Sequence, residues 1–79
     1  MSREVLIGEF EKNAAETVRV HLLRRAAGPY VDIRIWATSR PGDAPGLHPT
    51  SRGLMIAAEL VPDLQHLLEQ AYQTAEVER

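Results

Sequence analysis

Between positions 30 and 36 apolar β-branched residues recur at every second place. Val31, Ile33 and Ile35 fall on one side of a predicted strand, and Tyr30, Asp32, Arg34 and Trp36 on the other. The same period runs through a predicted strand over 17–24, where Val18, Val20 and Leu22 oppose Thr17, Arg19, His21 and Leu23. Ala27-Gly28-Pro29 is a turn signal between the two, so they pair as a hairpin. A first strand is predicted over 4–10, weakened in its middle by Gly8 and followed by a polar break at Lys12-Asn13-Ala14-Ala15.

The stretch 38–49 holds three prolines and two glycines and reads as one long connection, the kind that often forms a binding loop or flap. Thr50-Ser51-Arg52-Gly53 then enters a fourth strand over 54–58. From Leu60 the period lengthens. Leu60, Leu64, Leu67, Leu68, Ala71, Tyr72 and Ala75 make one side of an amphipathic helix over 60–75. Pro62 suits its first turn, and Glu59 and Asp63 suit the positive end of its dipole.

The expected fold is α+β, four strands and then one helix, in a single domain over 1–79. The helix is expected to cover the face of Val18, Val20, Leu22, Val31, Ile33 and Ile35. The face of Arg19, His21, Arg34 and Trp36 is then left for solvent or a ligand. Leu64, Leu67, Leu68 and Tyr72 span a wider arc than one sheet face needs, which predicts helix-to-helix contact with a second subunit.

Size points the same way. A chain of 79 residues buries a modest fraction of its surface and gains from a partner. At 44% hydrophobic it is expected to fold, and with no cysteine it has no thiolate metal site or thiol nucleophile. No apolar run approaches the roughly 18 residues of a membrane span. The N-terminus lacks a signal-peptide pattern, so a cytoplasmic protein is expected, nucleoid-associated if bacterial. The net charge of −2 is unevenly spread. Residues 1–57 carry eight basic and six acidic side chains, whereas 58–79 carry one arginine and five acids. Eight of the nine cations are arginine, suited to planar and bidentate contacts with phosphates and bases.

Candidate chemistry concentrates on Arg34 and Trp36. Sharing one strand face, a guanidinium can hold a phosphate while an indole stacks a base, a contact worth about 1–3 kcal/mol. The competing reading pairs Arg34 with Asp32 and packs Trp36 at a dimer seam. Arg52 follows the long connection and precedes Gly53, where backbone can approach a ligand closely. His21, His48 and His66 have no metal-ligand spacing. No nucleophile–base pair, paired carboxylates or glycine-rich phosphate loop is present, so no catalysis, cofactor or metal is expected.

Glu11-Lys12-Asn13, Thr17-Val18-Arg19-Val20, Gly28 before Tyr30-Val31-Asp32-Ile33-Arg34, Pro49-Thr50-Ser51-Arg52-Gly53 and Leu60-Val61-Pro62-Asp63-Leu64 together carry a resemblance. From about Glu9 to Ala75 the chain resembles the C-terminal domain of the transcriptional coactivator positive cofactor four, and above all its small bacterial relatives. The resemblance implies a strongly curved four-stranded antiparallel sheet followed by a helix, in a whirly-like arrangement. It also implies a homodimer formed through the helices. The implied function is single-stranded DNA binding with little sequence preference, in transcription regulation, coactivation or DNA maintenance. The family's sheet arginine falls on Arg34, its strand-two arginines on Arg19 and Arg24, and its loop-to-strand cation on Arg52.

The chain departs from the family pattern at Ala26 and Ala27, where an aromatic and a lysine are usual, and at Pro29 and His48, where lysines are common. Trp36 stands one place before the usual tryptophan. The expected nucleic-acid surface comprises Arg34, Arg19, Arg52, Arg24, Arg25 and Lys12 for phosphates, Trp36 and Tyr30 for bases, and His21 beside them. The expected dimer seam comprises Leu64, Leu67, Leu68, Ala71 and Tyr72. Expected partners are single-stranded DNA or RNA, a second copy of the chain and the transcription machinery, with no membrane. The alternative is a protein-interaction or structural dimer that keeps the fold with a weakened nucleic-acid surface.

Overall fold

The computed structural model describes residues 3–78. Four strands, β1 (Arg3–Asn13), β2 (Glu16–Arg25), β3 (Gly28–Thr38) and β4 (Leu47–Ala57), are followed by a single 3-10 turn (Ala58–Leu60) and a helix, α1 (Val61–Val77). Each strand pairs antiparallel with its neighbour in sequence, in the order β1-β2-β3-β4. The α+β order of four strands and then one helix is therefore as expected.

Local chemistry explains the boundaries. Asn13 accepts from the Ala15 backbone N–H at 3.0 Å and donates to Glu16 at 2.8 Å, an Asx-type turn that reverses the chain within Ala14 and Ala15. The first strand thus runs to Asn13, three residues past its expected end. At the next hairpin Gly28 has φ +123°, a value closed to most side chains. The expected long connection over 38–49 is shorter. β4 already begins at Leu47 and contains Pro49, tolerated because β4 is an edge strand and Pro49 adjoins a break in register.

Register sorts the side chains into two faces. Directly opposed residues give the rows Glu4-Leu23-Tyr30-Ala57, Leu6-His21-Asp32-Met55, Glu9-Arg19-Arg34-Gly53 and Glu11-Thr17-Trp36-Pro49 on one face. The other face carries Val5-Leu22-Val31-Ile56, Gly8-Val20-Ile33-Leu54 and Phe10-Val18-Ile35. Shifts at Leu6/Gly8, Glu11/Asn13 and Arg34/Trp36 mark bulges, which bend strands and increase twist. At the last of these Gly53 is required. A Cβ there would stand 2.7 Å from the Ile33 carbonyl oxygen and 2.9 Å from the Arg34 Cα. The close approach at Gly53 is therefore to β3 itself.

The expected helical lid is absent. α1 packs against the 3-10 turn and makes no extended contact with any strand. Leu67, Leu68 and Tyr72 are 61%, 58% and 63% exposed, and Leu64 is half-buried. The radius of gyration is 15.1 Å, against about 11.6 Å expected for a compact chain of this length. Among the described residues Leu23 is the one buried apolar side chain, joined by His21 and Asp32. All three lie on the polar face, which no second layer covers. The aliphatic face is left open because α1 does not fold back over it.

Candidate nucleic-acid interface

The polar face gathers Arg19, His21, Asp32, Arg34 and Trp36 at the centre of β2 and β3. The β2–β3 register is unbroken, so Trp36 keeps the parity of Arg34 and His21 and shares their face. The displacement of Trp36 by one place from the family's position therefore does not turn it toward the aliphatic side.

Arg34 is the most constrained cation of the cluster. Its Nε and Nη2 donate to the two carboxylate oxygens of Asp32 at 3.2 and 2.9 Å, and its Nη1 donates to the Thr50 carbonyl at 2.9 Å. The bidentate fork to Asp32 stays within β3 and orients the guanidinium, and the bond to Thr50 ties β3 to the bulged start of β4. Hydrogen bonds donated to Asp32, and then the charge of Asp32, raise the Arg34 guanidinium above its ordinary value. Arg34 is thus held charged and oriented.

Arg19 is held differently. Its Nε donates to Glu9 at 2.9 Å, and its guanidinium carbon lies 4.6 Å from the centre of the Trp36 ring. This is a cation–π contact on a sheet surface. His21 also lies beside the indole, with ring centroids 5.7 Å apart and planes tilted by 30°. The His21 Nε2 stands 4.0 Å from Glu4, while His21 Nδ1 and Trp36 Nε1 are buried without a hydrogen-bond partner among the described residues. Leaving a polar group so costs about 1–3 kcal/mol, so the arrangement around the indole is not at its most favourable.

A second group on the same face lies nearer the β2–β3 hairpin, where the Arg25 guanidinium stands 5.8 Å from the Tyr30 ring. The other expected cations lie elsewhere. Arg52 and Lys12 both reach Glu16, with Lys12 Nζ at 2.9 Å, and Glu16 has the parity of Val18 and Val20. Hydrogen bonds from Asn13, Lys12 and Arg52 lower the Glu16 carboxyl to about 2. Arg24 is exposed beside Pro29, with the parity of Leu22. Of the nine expected contact residues, Arg19, His21, Arg34, Trp36, Arg25 and Tyr30 thus share one face, and Arg24, Arg52 and Lys12 do not join them.

The sequence reading missed Glu9 and Glu16, the carboxylates that hold Arg19 and Arg52. The turn at Ala14 and Ala15 alone would set Phe10 opposite Arg19, and the register shift between Glu11 and Asn13 brings Glu9 there instead, which no local sequence signal gave away. The structure also brings Ser39 Oγ within 3.3 Å of His48 Nε2. That nitrogen lies 2.6 Å from the Ala44 carbonyl and must donate to it, so it does not serve as a base toward Ser39. The Ser39 hydroxyl is likewise turned to the Ala44 and Gly46 carbonyls, and both side chains pin the loop over 39–46. Among the described residues no three His, Cys, Asp or Glu side chains gather as metal ligands, and no helix is long and apolar enough to cross a membrane. Comparison with protein-family models, curated proteins and solved structures finds no match for this chain.

Proposed function

We propose that this protein is a homodimer of the positive cofactor four type that binds single-stranded DNA, or RNA, on the polar face of its sheet with little sequence preference. Transcription regulation, coactivation or DNA maintenance is the process such binding would serve. The observation that carries the reading is one sheet face holding Arg19 against Trp36, with Arg34 in the adjoining row. Unpaired bases expose ring faces that an indole can stack, and the phosphates between them need cations at the same surface. Duplex DNA keeps those ring faces inside its own stack, so it is the poorer ligand.

Dimerisation follows from what one copy leaves open. Val5, Phe10 and Leu54 on the aliphatic face are 46%, 62% and 46% exposed, and Leu67, Leu68 and Tyr72 line an uncovered helix. A second copy burying these faces would supply the core that one chain lacks.

A second reading, a structural or protein-interaction dimer, draws on a specific observation. Arg19, Arg34 and Arg52 each already pair with a carboxylate, Glu9, Asp32 and Glu16 respectively. The test is fluorescence anisotropy of a labelled unstructured oligonucleotide and its duplex at two salt concentrations. The expected result is tighter binding of the single strand, weakened by salt as phosphate neutralisation releases counterions. Absence of single-strand binding at low salt overturns the nucleic-acid reading and leaves the second.

A further inference from the structure

Trp36 is the one aromatic ring of the central cluster broad enough to carry a base, yet one of its faces is already taken. The Arg19 guanidinium lies 4.6 Å above the ring centre, where a base stacked on that face would sit. The same side chain cannot occupy that face and admit a base to it. We infer that Arg19 is an exchangeable plug on Trp36, and that Glu9 is the positioning residue that sets how often the plug is seated. This inference rests on the single-stranded nucleic-acid reading of the same face.

Three features make Arg19 the movable cation and Arg34 the fixed one. Arg19 is held by a single donor, Nε to Glu9 at 2.9 Å, whereas Arg34 is held by a two-pronged fork and a backbone carbonyl. The Glu9 carboxylate is 42% exposed, so water and salt compete for it. Two polar atoms beside the Arg19 contact, Trp36 Nε1 and His21 Nδ1, are buried without partners among the described residues. An arrangement that gives either of them water or the edge of a base gains a hydrogen bond, which favours a displaced Arg19.

The exchange keeps charge balanced. In the closed state the guanidinium faces the Glu9 carboxylate and the ring. In the open state it faces a phosphate of the bound strand, and a base replaces it on the ring. Apparent affinity is the intrinsic affinity scaled by the open fraction, so whatever stabilises the closed state weakens binding. Glu11 is a matched comparison on the same strand and face. It stands opposite Thr17 and makes no ion pair among the described residues.

The sequence contains one tryptophan, so intrinsic fluorescence reads Trp36 alone. Glu9→Gln is expected to raise acrylamide quenching of that fluorescence in the free protein, and Glu11→Gln to leave it unchanged. With a labelled oligothymidylate, Glu9→Gln is expected to bind roughly two- to fivefold more tightly than Glu11→Gln, the gain from releasing one exposed ion pair. Each substitution removes the same charge, so a general electrostatic gain cancels in that ratio. Equal quenching and equal affinity of the two variants overturn the plug while leaving the nucleic-acid reading intact. Weaker binding by Glu9→Gln overturns it as well. If no variant binds any single strand but Glu9→Gln alone unmasks Trp36, the binding reading fails and the seated plug stands.

Discussion

On one face of the sheet Val20 and Ile33 stand side by side with no layer above them. On the other, one step along the same strands, His21 and Asp32 are among the most buried residues described. Burial in the single chain thus runs opposite to hydropathy. The polar face covers itself, because long arginine side chains lie across their neighbours and Arg34 closes over Asp32. Short β-branched side chains cannot reach across a sheet in that way, so the aliphatic face needs cover from outside. One face is complete in one chain; the other is half of something. If the proposed dimer covers that face, stability is inseparable from assembly.

The largest expected effect breaks the contrast on the aliphatic side. Ile33→Asp places a charge in the middle of the open face and is expected to abolish the folded assembly, since burying an unpaired charge costs several kcal/mol. Sedimentation and circular dichroism check it, and a folded species of unchanged mass would show that this face meets no partner. Gly53→Ala acts on the joint between β3 and β4. Because the added methyl meets backbone at 2.7 Å, a loss of about 1–3 kcal/mol is expected in urea unfolding.

Trp36→Ala sharpens the contrast from the polar side. It is expected to cost about 1–3 kcal/mol of single-strand affinity per base stacked while leaving the sedimentation coefficient unaltered. Simultaneous loss of mass and binding would place Trp36 in the seam between subunits. The smallest effect is acid sensitivity at the sheet end. Glu16 titrates near 2 in the folded chain against an ordinary value of 4.5, so its pairing stabilises fully above 4.5. That share is lost as pH falls from there through about 2, where the folded state must also take up the proton. The urea midpoint of Glu16→Gln should therefore fall less than that of the parent between pH 5 and pH 2, with the two curves converging at the acid end.

The parts of the fold legible from residue type were those set by local period. The alternation through Val18, Val20, Leu22 and Val31, Ile33, Ile35 located β2 and β3 within one or two residues. The start of β4 was hidden because Pro49 reads as a breaker, and only the edge position of the strand makes it harmless. The helix was legible and its seat was not. An apolar stripe at Leu64, Leu67, Leu68 and Tyr72 reports that something must cover it, without saying what. Parity placed Arg19, His21, Arg34 and Trp36 together, since it needs no knowledge of partners. The resemblance and the preceding loop placed Arg52 there, but its parity is that of Leu54 and it pairs with Glu16 instead. Glu9 required the register of a whole hairpin, which composition and spacing do not carry.

The meander order of the strands has a consequence for how the chain acquires its shape. Every strand pairs with the one before it, across turns of two residues at Ala14 and Ala15 and at Ala26 and Ala27 and an eight-residue loop over 39–46. No pairing waits for a distant segment, so loop closure is cheap and the sheet can zip hairpin by hairpin on the microsecond-to-millisecond scale. The helix contributes little to that zipping, since it makes no extended contact with any strand. In the proposed dimer, refolding should therefore divide into a fast unimolecular stage that builds strands and a slower one whose rate rises with protein concentration. The last step of folding would then be an encounter between two molecules.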